Sequence, residues 1–195
     1  MKRSEINAAI LRAKRRLEEF KDRVTIVRDN YSNIKRVLDS LGIEKVDGIL
    51  LDIGVSSYQL DTAERGFTYK AEGPLDLRLN PEKGESAAER LAHMDYEEIV
   101  GMLVENSDEP YAEEIAEEIL KQKRKGGVKT TTDLKEVIER ALKFLPAKEQ
   151  KEAVKKACAR TFQALRIDVN SEFEVLYAFL EKLPDVLAPN GRVAI

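Results

Sequence analysis

Asp52 is where the chemistry of this sequence concentrates. It closes the apolar run Gly48-Ile49-Leu50-Leu51, and a run of that length stopped by Asp52 and Gly54 reads as a strand buried on both faces, as in a parallel sheet. A carboxylate at the carboxyl end of such a strand lies where open α/β sheets place their ligands. Capping the turn after a strand is an equally ordinary use of Asp, and both readings stay open. The segment that follows is polar and rich in turn formers: Ser56, Ser57, Gln59, Asp61, Arg65, Gly66, Gly73, Pro74, Asp76 and Arg78. Leu60, Phe67, Tyr69, Leu75, Leu77 and Leu79 give it apolar anchors, which favours an ordered functional loop over a disordered one. Arg65, Arg78, Arg160 and Arg166 can meet phosphates or form structural ion pairs with Asp61, Asp76 and Asp168. The tract Lys121-Gln-Lys-Arg-Lys125 and the cluster Lys151, Lys155, Lys156, Arg160 could follow a phosphate backbone. Charge runs at helix ends are more often solvated faces or dipole partners. His93 has no His or Cys neighbour at ligand spacing, which argues against a structural zinc site. Cys158 has no base nearby and receives no catalytic role.

The elements that must hold these groups follow from periodicity. Ile6, Ala9, Ile10, Ala13, Leu17 and Phe20 keep helical spacing, with Ser4 as a candidate N-cap. Val24-Thr-Ile-Val27 reads as a strand, and Ile34, Val37, Leu38 and Leu41 as a short helix stopped at Gly42, a residue suited to the position after a helix. With the Val46–Asp52 strand, this order predicts a parallel strand–helix–strand unit of the doubly wound class. From Pro81 to about Ala159 the pattern is helical throughout. Asp95 with Glu98 is an N-terminal cap, Pro110 suits a first helical turn, and Thr130 with Asp133 has capping-box spacing. Phe162, Leu165, Val169, Phe173, Leu176 and Leu180 form one long amphipathic stripe, broken by Pro184 and Pro189-Asn190-Gly191. Arg192–Ile195 begins a further strand.

With 195 residues, 43% hydrophobic and 35% charged, the composition is that of a soluble globular protein. No apolar run approaches the roughly 20 residues needed to cross a bilayer, and Met1-Lys2-Arg3 leads into an amphipathic helix rather than a signal core. A cytoplasmic location with no membrane partner is expected. The net charge of −3 carries no global basic signal, so nucleic-acid binding must come from local patches.

Two motifs add a family resemblance that covers essentially the whole chain. Asp52-Ile-Gly-Val-Ser-Ser-Tyr-Gln-Leu-Asp61, with Arg65-Gly66-Phe67 and Gly73-Pro74-Leu75-Asp76-Leu77-Arg78, resembles the bacterial ribosomal RNA small-subunit methyltransferase H family. Arg160-Thr-Phe-Gln-Ala-Leu-Arg-Ile-Asp-Val-Asn170 matches the same family. The resemblance implies an α/β fold: an incomplete Rossmann-like (class I) methyltransferase core, residues 1–80 and 160–195, with an all-helical insert for substrate recognition at 81–159. It implies methyl transfer from S-adenosylmethionine to the exocyclic N(4) amine of a cytosine in 16S ribosomal RNA, with that RNA or the ribosomal subunit as partner. Asp52 and Gln59 then match cofactor-binding positions, and Tyr31, where the family usually has Phe, takes the adenine-stacking position; a core aromatic under the sheet is its other reading. Arg65, Arg78, Arg160 and Arg166 become RNA-binding candidates, able to meet phosphates or a flipped nucleotide. Methyl transfer to an amine needs positioning and an acceptor for the amine hydrogens more than an acid–base pair. Asp52, Ser56 and Ser57 are the candidates for that acceptor, and no metal is expected.

The sequence also departs from the family pattern. A strand and a glycine-rich loop ending in Gly-Gly-His, which precede this segment in the family, are expected to be missing, as is a Phe-His-Ser strand after Ile195. Ser4 stands where an acid usually grips the ribose. Glu113, Glu114, Glu117 and Glu118 stand where the family tends to Arg, Lys156-Ala157 replaces His-Pro, and Asn80 replaces Asp. The competing expectations are a truncated chain, a degenerate inactive paralogue kept as an RNA-binding or oligomerising remnant, and a homodimer that covers the exposed edge of the Gly48–Asp52 strand. With the glycine-rich loop and the ribose-binding acid missing, the cofactor, if it binds at all, is expected to bind far more weakly than in an intact family member.

Overall fold

The computed structural model describes residues 3–195, with side chains from Asn7 onward; the expected Ser4 cap lies outside those side chains. The chain divides into two compact units, one formed by residues 1–54 with 172–195 and the other by residues 55–171. Together they make a mixed α/β protein with a small parallel sheet and many helices.

In the first unit, α1 (Arg3–Arg16) is followed by a 3-10 turn at Glu18–Phe20. Val24–Val27, expected as a strand, joins no ladder among the described residues. β-branched composition is a preference for a pleated, half-buried surface and becomes a strand only where a neighbour supplies the pairing. A 3-10 turn at Tyr31–Asn33, capped by the Asn30 side chain, leads into α2 (Ile34–Ser40). Gly42 takes φ +69°, its N–H bonds Asp39 O at 3.1 Å, and Ile43 N–H bonds Leu38 O at 3.0 Å, the paired bonds of a Schellman stop.

The strands β1 (Val46–Leu50) and β2 (Leu187–Ala194) run parallel, with Gly48, Ile49 and Leu50 opposite Arg192, Val193 and Ala194. The register shifts between Val46 and Gly48, and the strand absorbs Pro189-Asn190-Gly191 as an irregularity in which Asn190 takes φ +67°. Pro-Asn-Gly therefore lies inside the strand instead of ahead of it, as a proline without an N–H is tolerated where a ladder is interrupted. Leu50 is 83% exposed, so β1 is not buried on both faces. A strand is covered twice only where layers pack on each side of its sheet, and among the described residues the sheet has two strands. After α9 (Glu172–Leu180), Pro184 falls in the first turn of α10 (Leu183–Val186). Among the described residues of this unit, Leu38, Phe179 and Val186 are the buried side chains.

The second unit contains α3 (Ser57–Asp61), α4 (Ala87–His93), α5 (Tyr96–Ser107), α6 (Ala112–Lys123), α7 (Thr131–Ala141) and α8 (Ala147–Asn170). Between Pro81 and Ala159 the described structure is helical, with one isolated bridge from Thr130 to Pro74. Capping boxes start α4 at Ser86/Glu89, α5 at Asp95/Glu98 and α7 at Thr130/Asp133; the last two are the caps read from sequence. Pro110 stands just ahead of α6, whose N-cap is Tyr111. The apolar stripes close on one core: Ile99 and Leu103, Ile115 and Ile119, Leu134 and Ile138, and Leu165 are each fully buried. Each contributes about 1.5–3 kcal/mol by leaving water. The stripe expected to run unbroken from Phe162 to Leu180 is two helices, because Ser171 adopts φ +48° and its N–H turns back to Asp168 O.

The loop before α4 is tied down by backbone contact. Gly66 has φ +73°, and a Cβ there would press on the Pro74 carbonyl oxygen and lie 2.7 Å from Asp76 N; one on Gly73 would press on the Ala63 carbonyl oxygen. Leu77 sits fully buried at φ +62°, held from behind by Asn170. Asn170 Nδ2 donates to Leu77 O and Arg166 O, both at 2.8 Å, and its Oδ1 accepts from Leu79 N–H at 2.7 Å. Gly84 has the same φ of +73° but open space around it. Gly84→Ala should therefore cost about 1 kcal/mol, and Gly66→Ala about 2–4 kcal/mol from the added clash. Urea melts of the two variants check this, and equal losses would remove the clash from the explanation.

Candidate functional site

Within the first unit, β1 carries the backbone to Leu51, whose N–H still bonds Ala194 O at 2.9 Å. Asp52 follows at once and is exposed, so its carboxylate stands at the carboxyl end of a parallel strand. Tyr31 belongs to the 3-10 turn ahead of α2. Its ring meets Phe179 edge-on with centroids 5.6 Å apart, and Lys182 Nζ donates to the neighbouring Ser32 O at 2.5 Å. The Tyr31 hydroxyl is held above its ordinary pKa by burial and then by the Glu172 charge. The ring is half-buried, so Phe179 fixes it without enclosing it.

In the second unit, Ser56 and Gln59 form a capping box that starts α3. Gln59 Oε1 accepts from Ser56 N–H at 2.7 Å and from the Ser56 hydroxyl at 3.0 Å. The Gln59 side chain is buried and its carbonyl oxygen is committed to this cap, while Ser57 is exposed in the first turn. The spacing Ser-x-x-Gln is itself the signal for such a box.

The four arginines take different places. Arg65 is 7% exposed, donates to Arg78 O at 2.6 Å and to Leu79 O at 3.3 Å, and lies over the Phe67 ring at 5.7 Å. Arg78 grips both oxygens of Asp76, at 2.6 and 2.9 Å, and donates to Gly84 O at 2.9 Å. Arg160 is half-buried in a groove beside Pro110, Tyr111 and Lys156, where its charge acts on the buried Glu109. Burial raises the Glu109 carboxyl despite a 3.1 Å hydrogen bond from Tyr111 N–H. Arg166 is half-buried on α8, one turn before Asn170. Asp168 pairs with Arg90 at 2.9 Å. Burial pushes the Cys158 thiol up to about 12, leaving it without thiolate reactivity. Among the described residues, no group of three or more His, Cys, Asp or Glu is arranged around a metal position. Among the described residues no helix is long and apolar enough to cross a membrane.

Burial alone would raise the Asp76 carboxyl, but the Arg78 hydrogen bonds and the charges of Arg78 and Arg65 outweigh it and hold it below the ordinary carboxylate range. Its stabilisation is then fully present above the unfolded-state pKa of about 4 and lost as pH falls through the folded value. Asp76→Asn should lower stability at neutral pH by about 1.5–3 kcal/mol. The gap from the parent protein should narrow on acidification to about pH 3. Urea melts at the two pH values check it, and a gap that stays constant would contradict the assignment.

Similarity to known proteins adds a second line of observation. The family model described as the MraW methylase family matches residues 4–195. The Ribosomal RNA small subunit methyltransferase H 1 of Lachnoclostridium phytofermentans is 57% identical over 173 residues, 88% of this chain and 47% of the relative. The protein of the same name from Agathobacter rectalis is 55% identical over 188 residues, 94% of this chain and 53% of the relative. Ribosomal RNA small subunit methyltransferase H of Heliobacterium mobile is 46% identical over 188 residues, 96% of this chain and 59% of the relative. The chain spans about half the length of the curated relatives it matches.

Proposed function

The chain belongs to the MraW methylase family, and from that premise we propose that it serves S-adenosylmethionine-dependent methyl transfer to the N(4) amine of a cytosine in 16S ribosomal RNA. The observation that carries this reading is Asp52, exposed at the carboxyl end of a parallel strand, where α/β sheets collect ligands. A Rossmann-like core of residues 1–80 and 160–195, with residues 81–159 as the substrate-recognition insert, is the domain division that goes with it. The relatives' names, which specify small-subunit ribosomal RNA, support the choice of substrate.

The residues present suit a sulfonium nucleoside. The Asp52 carboxylate offers two strong acceptors, and the Tyr31 ring offers a π face fixed by Phe179. When bound, the donor supplies an electrophilic methyl group. The protein's part is to orient the cytosine amine in line with it and to accept the amine hydrogens. Asp52, Ser56 and Ser57 are the acceptors proposed for that step. Gln59 joins the cofactor-binding set through whatever its side chain offers beyond the cap.

Tyr31→Phe should keep donor affinity within about twofold, and Tyr31→Ala should lower it about 3- to 10-fold. Asp52→Ala should lower it at least about tenfold, the loss of a charge-assisted hydrogen bond. Calorimetric titration with S-adenosylmethionine measures these. Mass spectrometry of nucleosides from small subunits incubated with protein and donor tests the reaction. Methyl groups found on another atom, or on no RNA, would overturn the reading.

A homodimer accompanies the proposal. Among the described residues β1 pairs along one edge only, and Leu50 at its end is 83% exposed. A second copy that paired along the free edge would cover both. Sedimentation at micromolar concentration should then give a species of twice 22.1 kDa, and a monomer would exclude it.

A further inference from the structure

Between α7 and α8 lies a groove of about 870 Å³ whose floor is apolar, from Tyr69, Val154 and the buried Cys158, and whose rim is cationic. Five lysines line it, Lys135, Lys143, Lys148, Lys151 and Lys155, against Glu139 and Glu152, in a chain whose net charge is −3. Lys135 has Glu139 at 3.6 Å. Among the described residues no ion pair joins the other four to a carboxylate, and those four are exposed.

Stability does not account for this arrangement. Lys148 lies in the first turn of α8 and Lys151 in the second, the end where the helix dipole disfavours cations. Lys151 and Lys155 are like charges four residues apart, which is also unfavourable. Lys148, Lys151 and Lys155 follow the spacing that puts side chains on one helix face and extend over about 10 Å of helix. A row of free ammonium groups above an aromatic and aliphatic floor has the composition of a single-strand nucleic-acid groove: phosphates along the lysines, a base against the floor.

We infer that the α7–α8 groove holds a single-stranded stretch of RNA, with Lys148, Lys151 and Lys155 on its phosphates and Tyr69 beside a base. The choice of RNA rests on the methyl-transfer reading. The groove itself is read from charge and lining. It deepens that reading by placing substrate contacts in the 55–171 unit, on residues other than the four arginines of the motifs.

The test is fluorescence anisotropy of the full chain with a short labelled single-stranded RNA across a salt series, without methyl donor. Replacing Lys148, Lys151 and Lys155 together by Ala should weaken binding at least about tenfold and flatten the dependence of log affinity on log salt by about 2, three phosphate contacts on a single strand. Replacing Lys70, Lys83 and Lys129, which lie in the same unit outside the groove, changes net charge equally and should leave both readouts unchanged. The groove variant should also melt no lower than the parent protein, because it removes unfavourable charges from the start of α8. The inference is overturned by absence of RNA binding in the parent chain, by equal losses in the two triple variants, or by a groove variant that binds normally. Polyglutamate that displaces RNA as readily as unlabelled RNA does would also overturn it, and would assign the groove to an acidic protein partner. Donor titration and methyl transfer are separate measurements, so failure of the chemistry leaves this result intact.

Discussion

The 55–171 unit depends on a place where two stretches of backbone touch with no side chain between them. Gly66 faces Pro74 and Asp76, and Gly73 faces Ala63, at distances a Cβ would violate. The rest of the loop is built outward from that contact. Leu77 N–H reaches Arg65 O at 3.2 Å, Leu75 N–H reaches Lys129 O at 2.9 Å, and Thr131 N–H reaches Gly73 O at 2.9 Å. The Thr131 hydroxyl, fully buried, donates to Ala71 O and accepts from Gly73 N–H. These bonds tie the loop to the start of α7, and Asn170 ties it to the end of α8. A long polar segment is thereby tied by hydrogen bonds to two helices.

That economy of space decides what the arginines can do. The guanidinium of Arg65 is enclosed and turned to the carbonyls of Arg78 and Leu79, and Arg78 is turned to Asp76. Arg65 Nη2 bridges the two carbonyls and Arg78 grips Asp76, so these two side chains help to set the loop's shape. Whether an arginine points at its own backbone or at a ligand depends on three-dimensional enclosure. Arg65, Arg78, Arg160 and Arg166 therefore looked equivalent along the chain while the fold places them in different surroundings.

Local signals were the readable part. Capping at Asp95 and Thr130 and the stop at Gly42 are decided within a few residues, so residue type and spacing are enough. The strand at Val24–Val27 and the two-sided burial of Leu50 were misread because both depend on a neighbour: pairing for the first, a covering layer for the second. The break at Ser171 escaped notice for another reason. Serine in the left-handed region is uncommon, and the apolar spacing runs across it undisturbed. Ser56 and Gln59 stand out by their polarity, and their spacing also states their local task, which is to start α3.

Helix α8 draws these threads together inside its unit. Its second half is core, with Ala157, Phe162, Ala164 and Leu165 buried, and Asn106 on α5 donates to the Ala164 carbonyl at 3.2 Å. Its first half carries the lysine row. At 1.5 Å per residue, about 33 Å of continuous helix separates Lys148 from Asn170, and no proline interrupts the ladder. Methyl transfer of the kind proposed gains its rate mainly from position, with little demand for proton transfer. A strand gripped at the start of such a rod has a fixed place relative to the loop pinned at its end. For the transfer proposed, that register matters more than any single reactive side chain.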